Sequence, residues 1–204
     1  MKRWLTLALF ALSVALLAGC ATPTVTSQVT TFHRWPEQLQ DKTYVFERSA
    51  AENNNLEYLN YENLVRGQLA RLGFREAAPA QSPVLRVTLK YHVDVRDVHE
   101  VYPVVIDPYG PFPVWGGRYG PYYDPFWYGP PVVEQRQADY TLYTRTLDIA
   151  ITRIADGKAL YETKVVSKGT NSSLAAVMPY MIRSAFVDFP GKSGVPHYVE
   201  LPMK

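Results

Sequence analysis

The chain has 204 residues, with 21 Lys and Arg against 19 Asp and Glu, four His, a single Cys and 47% hydrophobic residues. That length and apolar content suit one domain with a sizeable core. The near-balance of charge argues against a nucleic-acid binder, which would normally carry a basic patch or stripe, and one cysteine excludes an internal disulfide framework.

The first twenty residues, MKRWLTLALFALSVALLAGC, place Lys2 and Arg3 before an apolar run from Trp4 to Leu17 and end on small residues and Cys20. This is the pattern of a secretory signal, and the run is shorter than the roughly 20 residues of a membrane-spanning helix. Leu17-Ala18-Gly19-Cys20 resembles the lipobox of bacterial lipoproteins, in which the cysteine thiol takes a diacylglyceryl group, the peptide is cut before it, and the new amine is acylated. The resemblance implies a signal peptide over residues 1–19, lipidation at Cys20 and a short tether over 20–23. More than one acyl chain gives stable anchoring, and no thiol is left to hold a metal or act as a nucleophile. In the sorting rule of such lipoproteins, aspartate after the cysteine retains the protein at the inner membrane. Ala21 stands there instead, so the implied address is the outer membrane, periplasmic face. Loss of residues 1–19 removes Lys2 and Arg3 and leaves 19 basic against 19 acidic residues.

Along the body, Thr24 to Phe32 is rich in Val and Thr and predicts a strand, and Lys42 to Glu47 a second. Asn53-Asn54-Asn55 predicts a helix cap before an amphipathic helix over about 56–72, with Tyr58, Tyr61, Val65, Leu69 and Leu72 at helical spacing and Gly73 as a left-handed stop. In VLRVTLKYHVDVR, Leu85, Val87, Leu89, Tyr91, Val93 and Val95 alternate with polar residues, which predicts a half-buried strand. Asp97-Val98-His99 breaks the alternation and predicts a bulge or the end of the ladder.

Residues 107–131, DPYGPFPVWGGRYGPYYDPFWYGPP, hold nine aromatic rings, seven prolines and five glycines. The prolines exclude a helix or a central strand and predict a loop or splayed hairpin tip. Tyr109, Phe112, Trp115, Tyr119, Tyr122, Tyr123, Phe126, Trp127 and Tyr128 together carry roughly 1,300–2,200 Å² of surface, more than the roughly 300–600 Å² patch a soluble monomer exposes. Most of these rings must touch something: the domain's own sheet, a partner such as an envelope protein or glycan, or the membrane interface. The last is disfavoured because Arg118 is the segment's one cation.

Beyond it, TRTLDIAITRI and ALYETKVVSKG flank Asp156-Gly157, a hairpin signal. Asn171-Ser172-Ser173 precedes a second helix through Leu174, Val177, Met178, Met181, Ile182, Ala185 and Phe186, either kinked at Pro179 or beginning near it. Phe189-Pro190 closes the 24–190 domain, and the 191–204 tail reads as irregular. The expected fold is α+β, an antiparallel or mixed sheet of about five strands with two helices on one face.

Val25, Val29 and Phe32, the Lys42-to-Phe46 run, Leu72-Gly73-Phe74, the hairpin LDIAITRIADGKALYE and Phe189-Pro190 resemble the bacterial envelope lipoproteins known as domain of unknown function 4136. The resemblance implies an α+β lipoprotein domain and brings no catalytic residues; members often carry a glycine- and aromatic-rich insertion after the long strand, much as this chain does at 107–131.

The chain has no phosphate-loop motif, because Gly116-Gly117-Arg118-Tyr119-Gly120 lacks the lysine and the spacing, and no Gly-x-Ser-x-Gly elbow. His92 and Asp94, with His99 and Glu100 shortly after, suggest at most a weak metal or acid/base site on a solvated strand face. Glu57 and Glu62, five apart, do not share a helix face. The expectation is a non-enzymatic envelope interaction or structural module with no cofactor and no metal, or alternatively a lipoprotein that binds a glycan or apolar ligand with the aromatic segment.

Overall fold

The computed structural model describes residues 22–36, 39–106 and 132–203. The expectations for the signal peptide, for Cys20 and for the nine rings of residues 107–131 lie outside them.

Seven strands form one mixed sheet in the order β3-β2-β4-β5-β6-β1-β7: β1 Thr24–His33, β2 Thr43–Phe46, β3 Arg75–Glu76, β4 Leu85–Ile106, β5 Val132–Arg153, β6 Ala159–Gly169 and β7 His197–Pro202. β2 pairs in parallel with β3 and β4, and the remaining neighbours are antiparallel. The helices are α1 Ala50–Asn53, α2 Leu56–Arg71 and α3 Leu174–Phe186.

This corrects the expected sheet of about five strands with two helices. Two strands were missed because they carry too little pattern: β3 is only two residues long. β7 lies in the tail read as irregular, and its solvent-facing side chains, among them the exposed Tyr198, hide its pairing with β1 from Thr24↔Pro202 to Val29↔His197. α1 is a single turn closed by a capping box between Ser49 and Glu52.

The elements follow local chemistry. Asn55 Oδ1 accepts the Glu57 and Tyr58 N–H groups at 3.0 and 3.1 Å and starts α2. Gly73, at φ 80°, lets the chain turn out of that helix into Phe74. Ser173 caps α3, which runs through Pro179 from Leu174 rather than beginning at it. Gly157, at φ 67°, turns the β5–β6 hairpin, with Asp156 Oδ1 accepting the Lys158 N–H at 3.2 Å.

Registers align the core in transverse rows. Val87, Ile151 and Tyr161 face one another across β4, β5 and β6, and Leu89, Ile149, Thr163 and Thr31 follow one step on. The apolar side chains of these rows are buried with Tyr58, Tyr61, Val65 and Leu69 of α2 and Met178, Met181 and Ile182 of α3 in one cluster, and Thr163 and Thr31 are buried beside them. Each fully buried aliphatic residue contributes about 1.5–3 kcal/mol. Intervening residues such as Lys90, His92, Glu162 and Lys164 stand exposed on the other face.

The ladder does not break at Asp97-Val98-His99. β4 and β5 stay in unbroken register from Leu85↔Arg153 to Ile106↔Val132, whereas β6 accompanies β5 only from Tyr143 onward. Eleven pairs, from Arg96↔Leu142 to Ile106↔Val132, thus form a two-stranded arm about 34 Å long at about 3.4 Å per step. Its alternation fails because both faces meet solvent, so neither has to be apolar.

Candidate functional site

The arm is the first candidate. Cross-strand polar pairs hold its near half: Thr141 Oγ1 donates to Asp97 at 2.9 Å, and His99 Nδ1 meets Asp139 Oδ1 at 2.8 Å. The far half exposes apolar side chains, with Val101 at 59%, Val105 at 63% and Val133 at 58% of full exposure and Tyr102 also in solvent, while Glu134 to Gln137 stand opposite Val104 to Val101. These side chains lie on both faces, since successive residues of a strand point to opposite sides. A two-stranded ribbon is at best marginally stable alone in water. The arm's free ends at Ile106 and Val132 are those between which residues 107–131 are strung.

The second candidate is a groove of about 680 Å³ at the opposite end of the sheet, lined by Phe32, His33, Arg34, Arg153, Lys158 and Glu162 among others. Asp156 neutralises part of this charge, lying 3.2 Å from Arg153 and 3.4 Å from Lys158. His33 Nε2 is fixed 3.0 Å from the Gly191 carbonyl. The exposed Phe32 ring supplies an apolar wall beside the cations.

Sequence reasoning missed two buried charges. Arg145 stands on the core face of β5 at 2% exposure, and its Nε and Nη2 have no hydrogen-bond partner. Ser27 Oγ, one β-strand beyond Ser167 in the same row, is also unpartnered. Burial lowers the Arg145 pKa, and the Tyr143 ring, 5.6 Å from the guanidinium carbon, partly compensates the charge. The signal was available, because Arg145 occupies the same strand phase as Leu147, Ile149 and Ile151.

Glu62 is 1% exposed and receives Arg48, on the loop after β2, through both carboxylate oxygens, with Arg66 Nη2 at 2.9 Å one turn on. The hydrogen bond to Glu62 holds the Arg48 guanidinium pKa above its ordinary value. Glu57 instead accepts from the Tyr61 hydroxyl at 2.6 Å. The two carboxylates therefore serve packing separately.

The histidine constellation is split by the pleat. His92 Nε2 lies 3.2 Å from Asp94 Oδ1 on one face, while His99, at odd spacing from His92, bonds Asp139 on the other. Hydrogen bonding and charge from Asp139 raise the His99 pKa, and the same bond lowers that of Asp139. Among the described residues no group of three or more His, Cys, Asp or Glu could hold a metal ion. Burial pushes the Tyr44 and Tyr58 phenols up to about 12, so both are neutral at physiological pH.

A family model described as domain of unknown function (DUF4136) matches residues 28–191. No curated protein matches the chain. Among solved structures, a PDZ domain protein from Parabacteroides distasonis is similar with a TM-score of 0.47 and 15% identity, over 89% of this chain and 40% of that one. The chain thus spans less than half the length of that protein. It belongs to the DUF4136 family.

Proposed function

We propose that this DUF4136 member is an outer-membrane-anchored periplasmic lipoprotein, held by lipid on Cys20, that acts as a non-catalytic envelope interaction or structural module. The observation that carries this reading is the arm: eleven strand pairs beyond the sheet body, exposed on both faces and apolar toward the ends from which residues 107–131 are strung. A fold that only had to enclose its core would end β4 near Val95, where β6 ends beside β5. The separation of His92 and Asp94 from His99 onto opposite faces supports a non-catalytic role.

Deletion of residues 108–130 from the lipidated protein tests the interaction role. Loss of envelope components that co-purify with the full chain is expected, and an unchanged set would overturn the segment's part in it.

A second reading has its own observation. The groove at the other end sets Arg34, Arg153 and Lys158 beside the Phe32 ring, which suits an anionic ligand with a ring or acyl body. Quenching of intrinsic fluorescence by cell-wall fragments, lost in Arg34→Ala, would favour it.

A further inference from the structure

We infer that the β4–β5 arm is a second membrane contact, whose apolar end meets, at headgroup and upper acyl level, the bilayer that holds Cys20. The inference rests on the lipid-anchored reading of Cys20 and adds to it where the arm goes. It follows from register. Ser27, Ser167, Arg145 and Val93 share one transverse row. Three residues before Ser27, Thr24 falls level with Arg96 and Leu142, at the base of the arm. β1 runs antiparallel to β6, and β6 and β4 are each antiparallel to β5. The chain before Thr24 therefore leaves the sheet at the same end as the arm.

Reach decides what the arm meets. Cys20 is four residues from Thr24 and lies within about 14 Å of it even when fully extended. The arm extends about 34 Å beyond the same row. Twist of about 20–25° per strand, over the two steps from β5 to β1, leaves about 24 Å of that reach along β1. With β1 upright on the bilayer, a tether this short brings the far half of the arm to it.

Composition agrees with that position. Rows nearest the body carry Arg96, Asp97, His99, Glu100 and Asp139; beyond them β4 turns apolar from Val101 to Ile106, opposite Gln137 to Glu134 and then, in the last two rows, Val133 and Val132. Val101, Val105 and Val133 share one face of the ribbon and Tyr102 stands on the other, so apolar surface is offered on both sides, most of it on the first. Both edges of the ribbon leave backbone groups without strand partners, which excludes the hydrocarbon centre and limits insertion to the interface. Over its 22 residues the arm carries four carboxylates, Asp97, Glu100, Glu134 and Asp139, against Arg96 and Arg136. Zwitterionic lipid is therefore the surface it takes, and attraction to anionic lipid is not what drives the contact.

The test uses the mature lipidated protein with one added cysteine, since Cys20 is the only native one and is blocked by lipid. Val105→Cys on the arm, or Lys158→Cys at the far end of the sheet, carries an environment-sensitive fluorophore. The protein is reconstituted in vesicles of phosphatidylethanolamine and phosphatidylcholine bearing nitroxide on the acyl chain near the headgroup. We expect the label at position 105 to lose most of its emission and the label at 158 to lose none. A water-like, unquenched label at 105 overturns the inference, as does an apolar but unquenched one, which would place the arm on protein or on a second copy. The mass of the Cys20 peptide from the same preparation separates the two readings. Unmodified Cys20 overturns both, and acylated Cys20 with an unquenched label overturns the arm contact alone.

Discussion

Ser27 on β1 and Val93 on β4 stand in one row of the sheet, joined through Ser167 and Arg145. That alignment sets the start of β1 beside the base of the arm, so the tether and the arm share one end of the domain. The groove with Arg34 and Arg153 occupies the other.

The same row contains a buried charge with little compensation. Arg145→Met keeps an unbranched side chain about as long as the arginine stem and removes a buried cation whose Nε and Nη2 have no partner. Replacing buried charge by well-packed apolar groups is often neutral or stabilising, by up to about 1–4 kcal/mol. The expected outcome is a higher melting temperature, by about 2–4 °C for each kcal/mol gained in a domain of this size. A clear fall would mean that Arg145 has a partner in the folded protein.

Glu62→Ala should act in the opposite direction. Removing one partner of a buried pair costs about 3–5 kcal/mol. Arg48 and Arg66 are about a third exposed and can turn to water, so a loss of about 2–3 kcal/mol is expected in denaturant unfolding. A double variant with Arg48→Ala should lose little more than the single one.

The arm contains a pH-sensitive pair. The His99 pKa is raised and that of Asp139 lowered, each chiefly by their mutual hydrogen bond. Stabilisation through His99 is fully present below its unfolded value of about 6.5 and is lost as pH rises through the elevated folded midpoint. Stabilisation through Asp139 is present above about 3.9 and is lost as pH falls through its lowered midpoint. The pair is thus strongest between those two unfolded values. An NMR titration should give a His99 midpoint above the free value, returning to it in Asp139→Asn.

Hydrogen exchange should divide β4 in water. Amides near Val87 and Leu89 belong to the buried core and should exchange slowly. Those between Arg96 and Val105 lie in a two-stranded arm and should exchange much faster. Equal protection along the strand in the absence of lipid would show that the arm is stabilised by something other than its own pairing.

How much of this was legible varies by element, for physical reasons. The Leu85-to-Val93 stretch shows its alternation because one face is turned to the core and the other meets water, whereas Val95, in the same phase, is exposed. The Asp156-Gly157 turn and the Asn55 cap are also visible, since both depend on local chemistry. The β5 segment Val132–Tyr143 gave no signal, because a strand with two wet faces has no period to display. β3 and β7 owe their existence to neighbours distant in sequence. Membership of the DUF4136 family was readable from the β1, β2 and hairpin residues together. Arg145 was readable in principle as a charge in an apolar phase, whereas the burial of Glu62 depends on how α2 packs and on Arg48 reaching it.

The measurement that tests the lipid-anchored module most directly is the mass of the N-terminal peptide of the protein recovered with outer membranes. The account predicts a chain beginning at Cys20 that carries a diacylglyceryl thioether and an acylated amine. A free thiol at Cys20, or a peptide that still includes residues 1–19, would contradict it.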